Sequence, residues 1–351
     1  MTAAPQAAVP DLTIQVAAEE EGASWDEFVR AHPSGTFFHL FGWRRVVRDG
    51  LRHPVYYLVA RRAGKIAGVL PLARVKSALF GDALASMPFC VYGGALAESE
   101  EVARALEQHA AELATKMSVD YLEVRNHARS RQDWPSKDLY YTFRRTLDPD
   151  PEKNLAAIPR KQRAEVRAGI KKNLTAVLDD GVDRFYDIYS TNLRSLGTPV
   201  QSRSYFALLR KVFGKDCEVS TVMNGNEPVA SLMTFWFRDE VLPYYGGGLA
   251  AARPLSAYDF MYWDLMRRAT ERGTRIYDFG RSKKDTGPFK YKKHWGFEPQ
   301  ALPYQYFLVK SRAVPDVSPA NPKYHMFIEA WKRMPLPMTR LLGPMVARYL
   351  G

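Results

Sequence analysis

The feature that most constrains the fold is an order of predicted elements that occurs twice along the chain. The second half is predicted to contain three strands, a glycine run, a helix and a return strand, at 218–223, 228–237, 241–245, 246–248, 256–273 and 274–280. The first half is predicted to contain the same series, at 55–60, 65–75, 84–92, 93–94, 99–117 and 119–125. Both third strands end in Tyr-Gly-Gly. This repetition indicates two copies of one structural unit.

Three antiparallel strands, a glycine break, a helix and a parallel return strand form the core order of the GNAT acyltransferase fold. We therefore predict an α+β fold of two tandem GNAT-like domains with mixed sheets, at 12–150 and 151–312, followed by an amphipathic helical tail at 313–351. The boundary is predicted near the Pro- and Asp-rich stretch 148–159. The third strand is expected to splay after its glycines and to expose backbone for an extended ligand. The element order alone does not fix an activity, since many α+β domains contain it.

Charge and cysteine content narrow the range of partners. The 351 residues carry a formal charge of +12, with a pI near 9.5, which favours an anionic partner such as nucleic acid, a phosphorylated small molecule or an anionic membrane surface. Two cysteines form neither a disulfide framework nor a metal cluster. We expect neither a metal site nor a tightly bound cofactor. We found no leader pattern and no apolar run of the ~20 residues that span a bilayer, which predicts a cytoplasmic protein.

A basic and aromatic segment follows the return strand of the second half. The stretch "GRSKKDTGPFKYKKHWGFEP", 280–299, has six basic residues and one acid in its first fifteen positions, interleaved with aromatic rings. We interpret "FKYKKHW" as strand-like, which would place Lys290 and Lys292 on one side and Lys293 on the other. His294 is the one histidine in the chain that we would test.

Five stretches together resemble the FemAB family, in particular the FemAB-like proteins associated with PEP-CTERM/exosortase systems of exopolysaccharide-producing bacteria. They are "FRRTL", "PRKQRAEVRAGIKKNL", "FYDIYSTNLRSLGTPVQSRSYFALL", "YYGGG" and "YDFGRSKKDTGPFKYKKHWGFEPQALPY". The resemblance implies transfer of an acyl or aminoacyl group to an amine. In Fem enzymes a lysine in a Tyr/Phe-Lys-aromatic-Lys stretch assists catalysis, and "FKYKKHW" aligns Lys292 with it.

The acyl donor stays open between aminoacyl-tRNA and acyl-CoA. Fem enzymes draw amino acids from aminoacyl-tRNA and attach them to a peptidoglycan precursor, but the long helical hairpin that some of them insert has no counterpart here. The Arg/Gln-x-x-Gly-x-Gly/Ala phosphate loop of acetyl-CoA-dependent enzymes is absent from both halves. Glu98, Glu100 and Glu101 open the helix of the first half, whereas Arg253 and Ser256 precede that of the second. The second half is therefore the predicted anion site.

The candidate site residues belong to the second half. Lys292 is the predicted catalytic residue, because a cation can stabilise the negative oxygen of the tetrahedral intermediate of acyl transfer. Asp278 is the second predicted catalytic residue, because it could orient Lys292 or accept a proton. The alternative is that Asp278 caps neighbouring backbone. The candidate substrate-binding residues follow predicted strands, precede the helix or flank Lys292; they are Tyr245, Gly246, Gly247, Gly248, Arg253, Ser256, Arg281, Ser282, Lys283 and Lys290.

Two further segments leave alternatives open. A helix at 160–172 would place Arg160, Arg163, Arg167 and Lys171 along one side, facing RNA, lipid phosphate or water. The tail either packs on the domains or lies in a membrane interface with its basic residues toward anionic lipid, which would make the protein peripheral at the inner membrane. The expected partners are an anionic small molecule or a lipid-linked glycan, with tRNA as the other donor candidate. A non-catalytic binder of anionic polymer is the rival from another class.

Overall fold

The computed structural model describes residues 12–77, 80–314 and 325–350. Its strands are β1 Leu12–Val16, β2 Val55–Arg62, β3 Lys65–Ser77, β4 Gly81–Ser86, β5 Leu96–Ala97, β6 Tyr121–Val124, β7 Tyr140–Thr146, β8 Thr175–Leu178, β9 Cys217–Asn224, β10 Glu227–Phe237, β11 Glu240–Gly248, β12 Ile276–Asp278, β13 Ser282–Lys283, β14 Pro299–Leu302 and β15 Gln305–Leu308. Its helices are α1 Gly22–Ala31, α2 Gly42–Arg45, α3 Glu100–Lys116, α4 Pro151–Ala157, α5 Arg160–Lys171, α6 Asp183–Leu196, α7 Arg203–Phe213, α8 Ala257–Glu271, α9 Gly287–His294, α10 His325–Arg333 and α11 Leu336–Ala347.

The chain divides into two units, each with its own sheet. The described residues of the first unit lie in Met1–Arg48, Arg52–Lys137 and Pro303–Val314; those of the second lie in Asp49–Leu51, Asp138–Leu302 and Pro315–Gly351. The first sheet has the order β1-β2-β3-β4-β6-β15, with β5 also paired to β3, and the second has the order β8-β9-β10-β11-β12-β7-β13, with β14 also paired to β7. In both, three antiparallel strands are followed by a helix and a parallel return strand. The predicted α+β fold of tandem GNAT-like domains is confirmed.

One strand of each sheet comes from a part of the chain assigned by sequence to the other domain. Strand β7 pairs antiparallel with β12 of the second unit, although it lies within the predicted first domain, 12–150. Strand β15 pairs antiparallel with β6 of the first unit, although it lies within the predicted second domain, 151–312. A short strand sequence specifies its own conformation but not its partner, which explains why the structural division differs from the predicted boundaries.

The third strands differ from their predictions. Strand β4 ends at Ser86 rather than at Tyr92, because a turn follows in which Met87 and Phe89 have positive φ values of 43° and 72°. Strand β11 continues through its glycines, and Leu232 of β10 lies opposite Gly246. Its pairing with β12 covers Glu240 and Val241 alone. The prediction that the splay follows the glycines is therefore wrong: β11 and β12 diverge before them.

The glycines of β11 allow side chains from two helices to lie directly on the strand. A Cβ on Gly247 would lie 3.1 Å from the Cβ of Asn192 on α6, and one on Gly248 would lie 2.7 Å from the Cβ of Ala252. Tyr258 of α8 also lies within 3.0 Å of that second position. The close approach that the sequence predicted is thus made by the protein's own side chains.

The segment interpreted as strand-like is helix α9, so the strand prediction for "FKYKKHW" is wrong. Pro288 lies in its first turn, where a missing N–H costs nothing, and Gly296 follows its end with a φ of +78°. Phe289, Trp295 and Phe297 are buried in the core of the second unit. These start and stop signals were present in the sequence and outweighed the alternation of lysines and aromatic rings.

The described part of the predicted tail packs on α6, while residues 315–324 lie outside the described residues. A Cβ on Gly197, at the end of α6, would lie 2.5 Å from Ile328 of α10. Arg340 of α11 forms a 2.9 Å ion pair with Asp187 and donates a hydrogen bond to Ser190. Trp331 is buried.

We predict that Gly169→Val destabilises the second unit by about 1–3 kcal/mol, because an overpacked contact must be relieved. A Cβ at Gly169 of α5 would lie 2.9 Å from the Cβ of Phe260 on α8. Ala164→Val, on the exposed side of the same helix, is the matched control and should cost a few tenths of a kcal/mol. Urea unfolding measures both variants, and equal losses would contradict this account of the α5–α8 contact.

Candidate functional site

Lys292 lies on α9 with its ammonium group buried near the end of β12. Its Nζ donates hydrogen bonds to the carbonyl oxygens of Gly280, at 2.9 Å, and Arg281, at 3.2 Å. The nitrogen also lies 5.4 Å from the ring centre of Phe143 and 5.8 Å from that of Phe279. Burial lowers the pKa of Lys292 to about 7; the charge of Asp278 opposes this change. The side chain is therefore close to half-charged at neutral pH.

Asp278 supports the backbone that holds Lys292. Its carboxylate is fully buried at the end of β12. One oxygen accepts hydrogen bonds from the N–H of Gly280, at 2.7 Å, and from the hydroxyl of Thr142 on β7, at 3.0 Å. These contacts cap the turn after β12, whose carbonyl groups bind Lys292. The structure thus shows Asp278 in a positioning arrangement, and its predicted catalytic role stays a prediction.

A second buried carboxylate shares an arginine with Asp278. Arg144 of β7 forms an ion pair with Glu240, at 3.0 Å, and lies 3.5 Å from Asp278. Burial, and next the charge of Asp278, raises the pKa of Glu240 to about 8. Sequence reasoning missed Thr142 and Arg144, because β7 was assigned to the first domain and its polar residues had no reason to be placed beside Asp278. It missed Glu240, the first residue of β11, because that position fell between two predicted strands.

Three of the predicted binding residues lie beside this cluster on the turn after β12 and on β13. The guanidinium carbon of Arg281 lies 4.5 Å from the ring centre of Tyr140, and the Nζ of Lys283 lies 5.8 Å from it. Ser282 is buried, and its hydroxyl has no hydrogen-bond partner among the described residues. The prediction that these residues follow a strand next to Lys292 is consistent with their positions.

Lys290 does not share a side with Lys292. Residues two positions apart on a helix point in nearly opposite directions, and Lys290 is exposed whereas the ammonium of Lys292 is buried. The prediction of a common side is wrong because it assumed a strand. Lys293 and His294 are also exposed.

Tyr245 and the glycines that follow it are occupied by contacts within the second unit. The Tyr245 hydroxyl lies 3.0 Å from that of Tyr205 on α7, and its ring packs against Phe206 and Tyr189. These contacts give Tyr245 a packing role. Its proposed role in substrate binding stays a prediction.

The start of α8 combines an exposed cation with two acids, of which Asp259 is buried. Arg253 is exposed, whereas Ser256 is buried in a left-handed conformation and donates a hydrogen bond to Glu165 of α5 at 2.7 Å. Asp259, in the first turn, accepts hydrogen bonds from Gln162, from Tyr291 at 2.8 Å and from Trp295 at 3.1 Å. Ser256 is therefore the residue before α8, as predicted, but its side chain binds Glu165 instead of capping the helix.

The four basic residues predicted to share one side of a helix do so on α5. Arg160, Arg163, Arg167 and Lys171 line an open cavity of about 440 Å³, whose floor is Ala164 and Ala168. None of the four forms an ion pair with a carboxylate of the described residues. We call this cavity the α5 groove.

The first unit contains a cavity of about 460 Å³ that sequence reasoning missed. Glu107 of α3 is buried in its wall and accepts hydrogen bonds from Asn126, at 2.8 Å, and from Ser130, at 2.7 Å. The other oxygen of this carboxylate has no hydrogen-bond partner among the described residues. Burial raises the pKa of Glu107. The signal in the sequence was a glutamate on the apolar side of α3.

Neither a metal cluster nor a membrane span is found in the described part of the chain. No group of His, Cys, Asp and Glu side chains within residues 12–77, 80–314 and 325–350 is arranged to hold a metal ion. Within the same ranges, each helix is too short or too polar to cross a bilayer.

Comparison with known proteins gives the class. Residues 160–293, from the start of α5 to α9 and including Lys292, match the acetyltransferase (GNAT) domain family. Together with the fold, this match defines the chain as an acyltransferase with a GNAT-type domain in its second unit. No curated protein matches the sequence.

Solved structures share the fold of most of the chain. FemX superposes with a TM-score of 0.66 at 15% identity, covering 90% of this chain and 100% of that one. A tandem GNAT protein from the clavulanic acid biosynthesis pathway superposes with a TM-score of 0.53 at 16% identity, covering 87% of this chain and 100% of that one. The C-terminal domain of a putative lysylphosphatidylglycerol synthetase from Agrobacterium fabrum superposes with a TM-score of 0.54 at 12% identity, covering 82% of this chain and 91% of that one.

The lowered pKa of Lys292 predicts how stability depends on pH. Its pKa falls from 10.5 to about 7 on folding, so the unfolded chain binds more protons between these pH values. Lys292 therefore destabilises the fold most below pH 7, and this cost disappears as the pH rises to 10.5. Replacing it with Met removes this cost, together with the two hydrogen bonds that Nζ donates to the carbonyl oxygens of Gly280 and Arg281.

The stability of Lys292→Met relative to the native protein should thus be greatest below pH 7 and should decrease by a few kcal/mol, as an order of magnitude, as the pH rises from 7 toward 10.5. Urea unfolding at a series of pH values measures this difference. Lys290→Met, an exposed lysine on the same helix, should show no such trend. A pH-independent difference for Lys292→Met would mean that Lys292 titrates normally.

Proposed function

We propose that this acyltransferase moves an acyl or aminoacyl group from a phosphate-bearing donor to an amine, forming an amide on a precursor of the cell envelope or of an exopolysaccharide. The observation that carries the proposal is the buried ammonium of Lys292, held by two backbone carbonyls inside the region that matches the GNAT domain. The resemblance to FemAB-like proteins of PEP-CTERM systems and the fold shared with FemX support the choice of acceptor.

In the proposed reaction the amine nitrogen attacks the acyl carbonyl carbon and a tetrahedral intermediate with a negative oxygen forms. The intermediate collapses when the bond to the donor's oxygen or sulfur breaks. The attacking amine loses one proton, and the leaving group gains one. Lys292 stabilises the negative oxygen, and the approach of that charge raises its pKa and favours the protonated side chain. Asp278, through Gly280, holds the turn that positions Lys292.

Removal of the Lys292 amine should abolish turnover with little effect on donor binding. We predict that Lys292→Ala lowers kcat by about 100-fold or more, the usual effect of removing one donor to an oxyanion. Lys290→Ala, two residues away and exposed, should stay within a few-fold of the native enzyme. Single-turnover assays with mass-spectrometric detection of the amide measure both. Unchanged transfer by Lys292→Ala would remove this residue from the proposal.

The α5 groove is proposed to bind the phosphates of the donor. Four cations without carboxylate partners among the described residues face one cavity there, which suits either tRNA or the phosphates of CoA. A double variant, Arg160→Ala with Arg167→Ala, should raise the KM for the donor about tenfold and leave kcat nearly unchanged. Lys215→Ala, an exposed cation elsewhere in the second unit, is the control. A loss of kcat without a change in KM would contradict a binding role.

Titration calorimetry with acetyl-CoA, charged tRNA and a nucleotide-sugar precursor separates the alternatives. Binding and turnover with acetyl-CoA would favour a plain acyl-CoA-dependent N-acetyltransferase. Binding of charged tRNA with transfer of its amino acid would favour the Fem-type reaction. Binding of polyanions without transfer to any amine would leave the non-catalytic binder as the function.

A further inference from the structure

The outer side of α11 carries large apolar side chains that face solvent. Met338, Leu341 and Met345 are 49%, 74% and 65% exposed, and their spacing places them on one face of the helix. The opposite face, which packs on the second unit, consists of smaller residues: Thr339, Gly343 and Ala347 are buried. The helix is therefore built with its largest apolar groups outward, the reverse of an ordinary docked helix.

This arrangement follows from the packing of α11. A Cβ on Gly343 would lie 2.7 Å from the backbone oxygen of Val200, so a larger residue is excluded from the inner face. Arg340, the one charged residue of α11, is paired with Asp187 on α6. Small residues and one ion pair thus hold the inner face of the helix, whereas the Met338, Leu341 and Met345 side chains stay about half exposed or more.

Exposed apolar residues are concentrated in this part of the chain. Of the eleven large apolar side chains exposed in the described residues, six lie in 325–350, on α10, on α11 or just after it. The other three are Met326, Phe327 and Leu350. Three of the six share one face of α11, and such clustering indicates an interaction surface, because single exposed residues are common whereas clusters are not.

The charges around the apolar residues indicate the partner. Residues 325–350 contain four basic residues, Lys332, Arg333, Arg340 and Arg348, and one acid, Glu329, which pairs with Lys332. Arg333, just before α11, is exposed. Methionine and leucine side chains beside lysine and arginine match a bilayer interface, where acyl chains meet anionic headgroups. A helix of 12 residues is about 18 Å long, which suits a helix that lies in the plane of the interface.

We propose that the outer face of α11 docks on an anionic lipid surface, with Met338, Leu341 and Met345 inserted among the acyl chains and the neighbouring basic residues against the headgroups. The docking fixes the protein at the membrane without a span. It does not depend on the identity of the acyl donor or on the role of Lys292.

Co-sedimentation with vesicles tests the proposal on the full chain. The native protein should bind phosphatidylcholine vesicles that contain phosphatidylglycerol and should bind pure phosphatidylcholine vesicles at least several-fold less well. A triple variant, Met338→Ser with Leu341→Ser and Met345→Ser, should lower the partition coefficient about tenfold or more, since apolar burial is lost. Lys332→Glu with Arg333→Glu should weaken binding to the anionic vesicles alone.

The matched control changes three exposed apolar residues elsewhere in the second unit: Ile170→Ser with Val177→Ser and Leu178→Ser. It should bind vesicles as the native protein does. Because all six positions are exposed, both variants should keep the native thermal unfolding temperature, which circular dichroism checks before the binding assay.

Three outcomes would overturn the proposal. One is equal binding by the α11 variant and its control. In another, light scattering finds the native protein to be a dimer and the α11 variant to be a monomer, and neither protein binds vesicles. The face would then bind a second copy of the chain. The last is a native monomer that binds neither type of vesicle, which would leave the face to a protein partner.

Discussion

The pairing of β7 with β12 is the interaction on which the candidate site depends. The antiparallel register places Arg144 directly opposite Asp278, and Thr142 lies two residues further along the same face of β7. A carboxylate with no exposed surface is costly unless its oxygens are paired, and β7 provides a hydroxyl and a guanidinium for them. The ring of Phe143, between these two residues, packs on Phe289 of α9. Strand β7 therefore both stabilises the buried carboxylate of Asp278 and packs against α9, the helix that carries Lys292.

Lys292 is the residue for which this support matters most. An ammonium group taken out of water loses its hydration, and two carbonyl oxygens return only part of that interaction, so its pKa falls to about 7. A lysine in this state responds strongly to one further charge. An anionic oxygen nearby would favour the protonated form, whereas loss of Asp278 would favour the neutral form. The chemistry proposed for the site uses this sensitivity: stabilisation is greatest when the negative charge is present.

The sequence was informative where the structure depends on local patterns and less so where it depends on pairing. Hydrophobic periodicity and turn residues specify the order of strands, glycines and helix in each unit, and both copies were predicted from these local patterns. The partner of "YYTFRRT", 140–146, is a matter of long-range pairing that no local pattern specifies, so Thr142 and Arg144 were missed. Helix α9 was missed for another reason: the alternation of lysines and aromatic rings was interpreted as a strand, although Pro288 and Gly296 mark the ends of a helix.

The two faces of α5 show how the proposed anion site could form without a phosphate loop. Gln162, Glu165 and Gly169 face α8: the first two hydrogen-bond Asp259 and Ser256, and the third allows the helices to approach closely. The start of α8 therefore lies beside two acids, the buried Asp259 and the exposed Glu165, whose negative charges oppose phosphate binding there despite the helix dipole. The other face of α5 carries Arg160, Arg163, Arg167 and Lys171, with no acid among the described residues to neutralise them. The acids that bind the two helices together thus lie on one side of α5 and leave the positive potential on the other, where a phosphate can reach it.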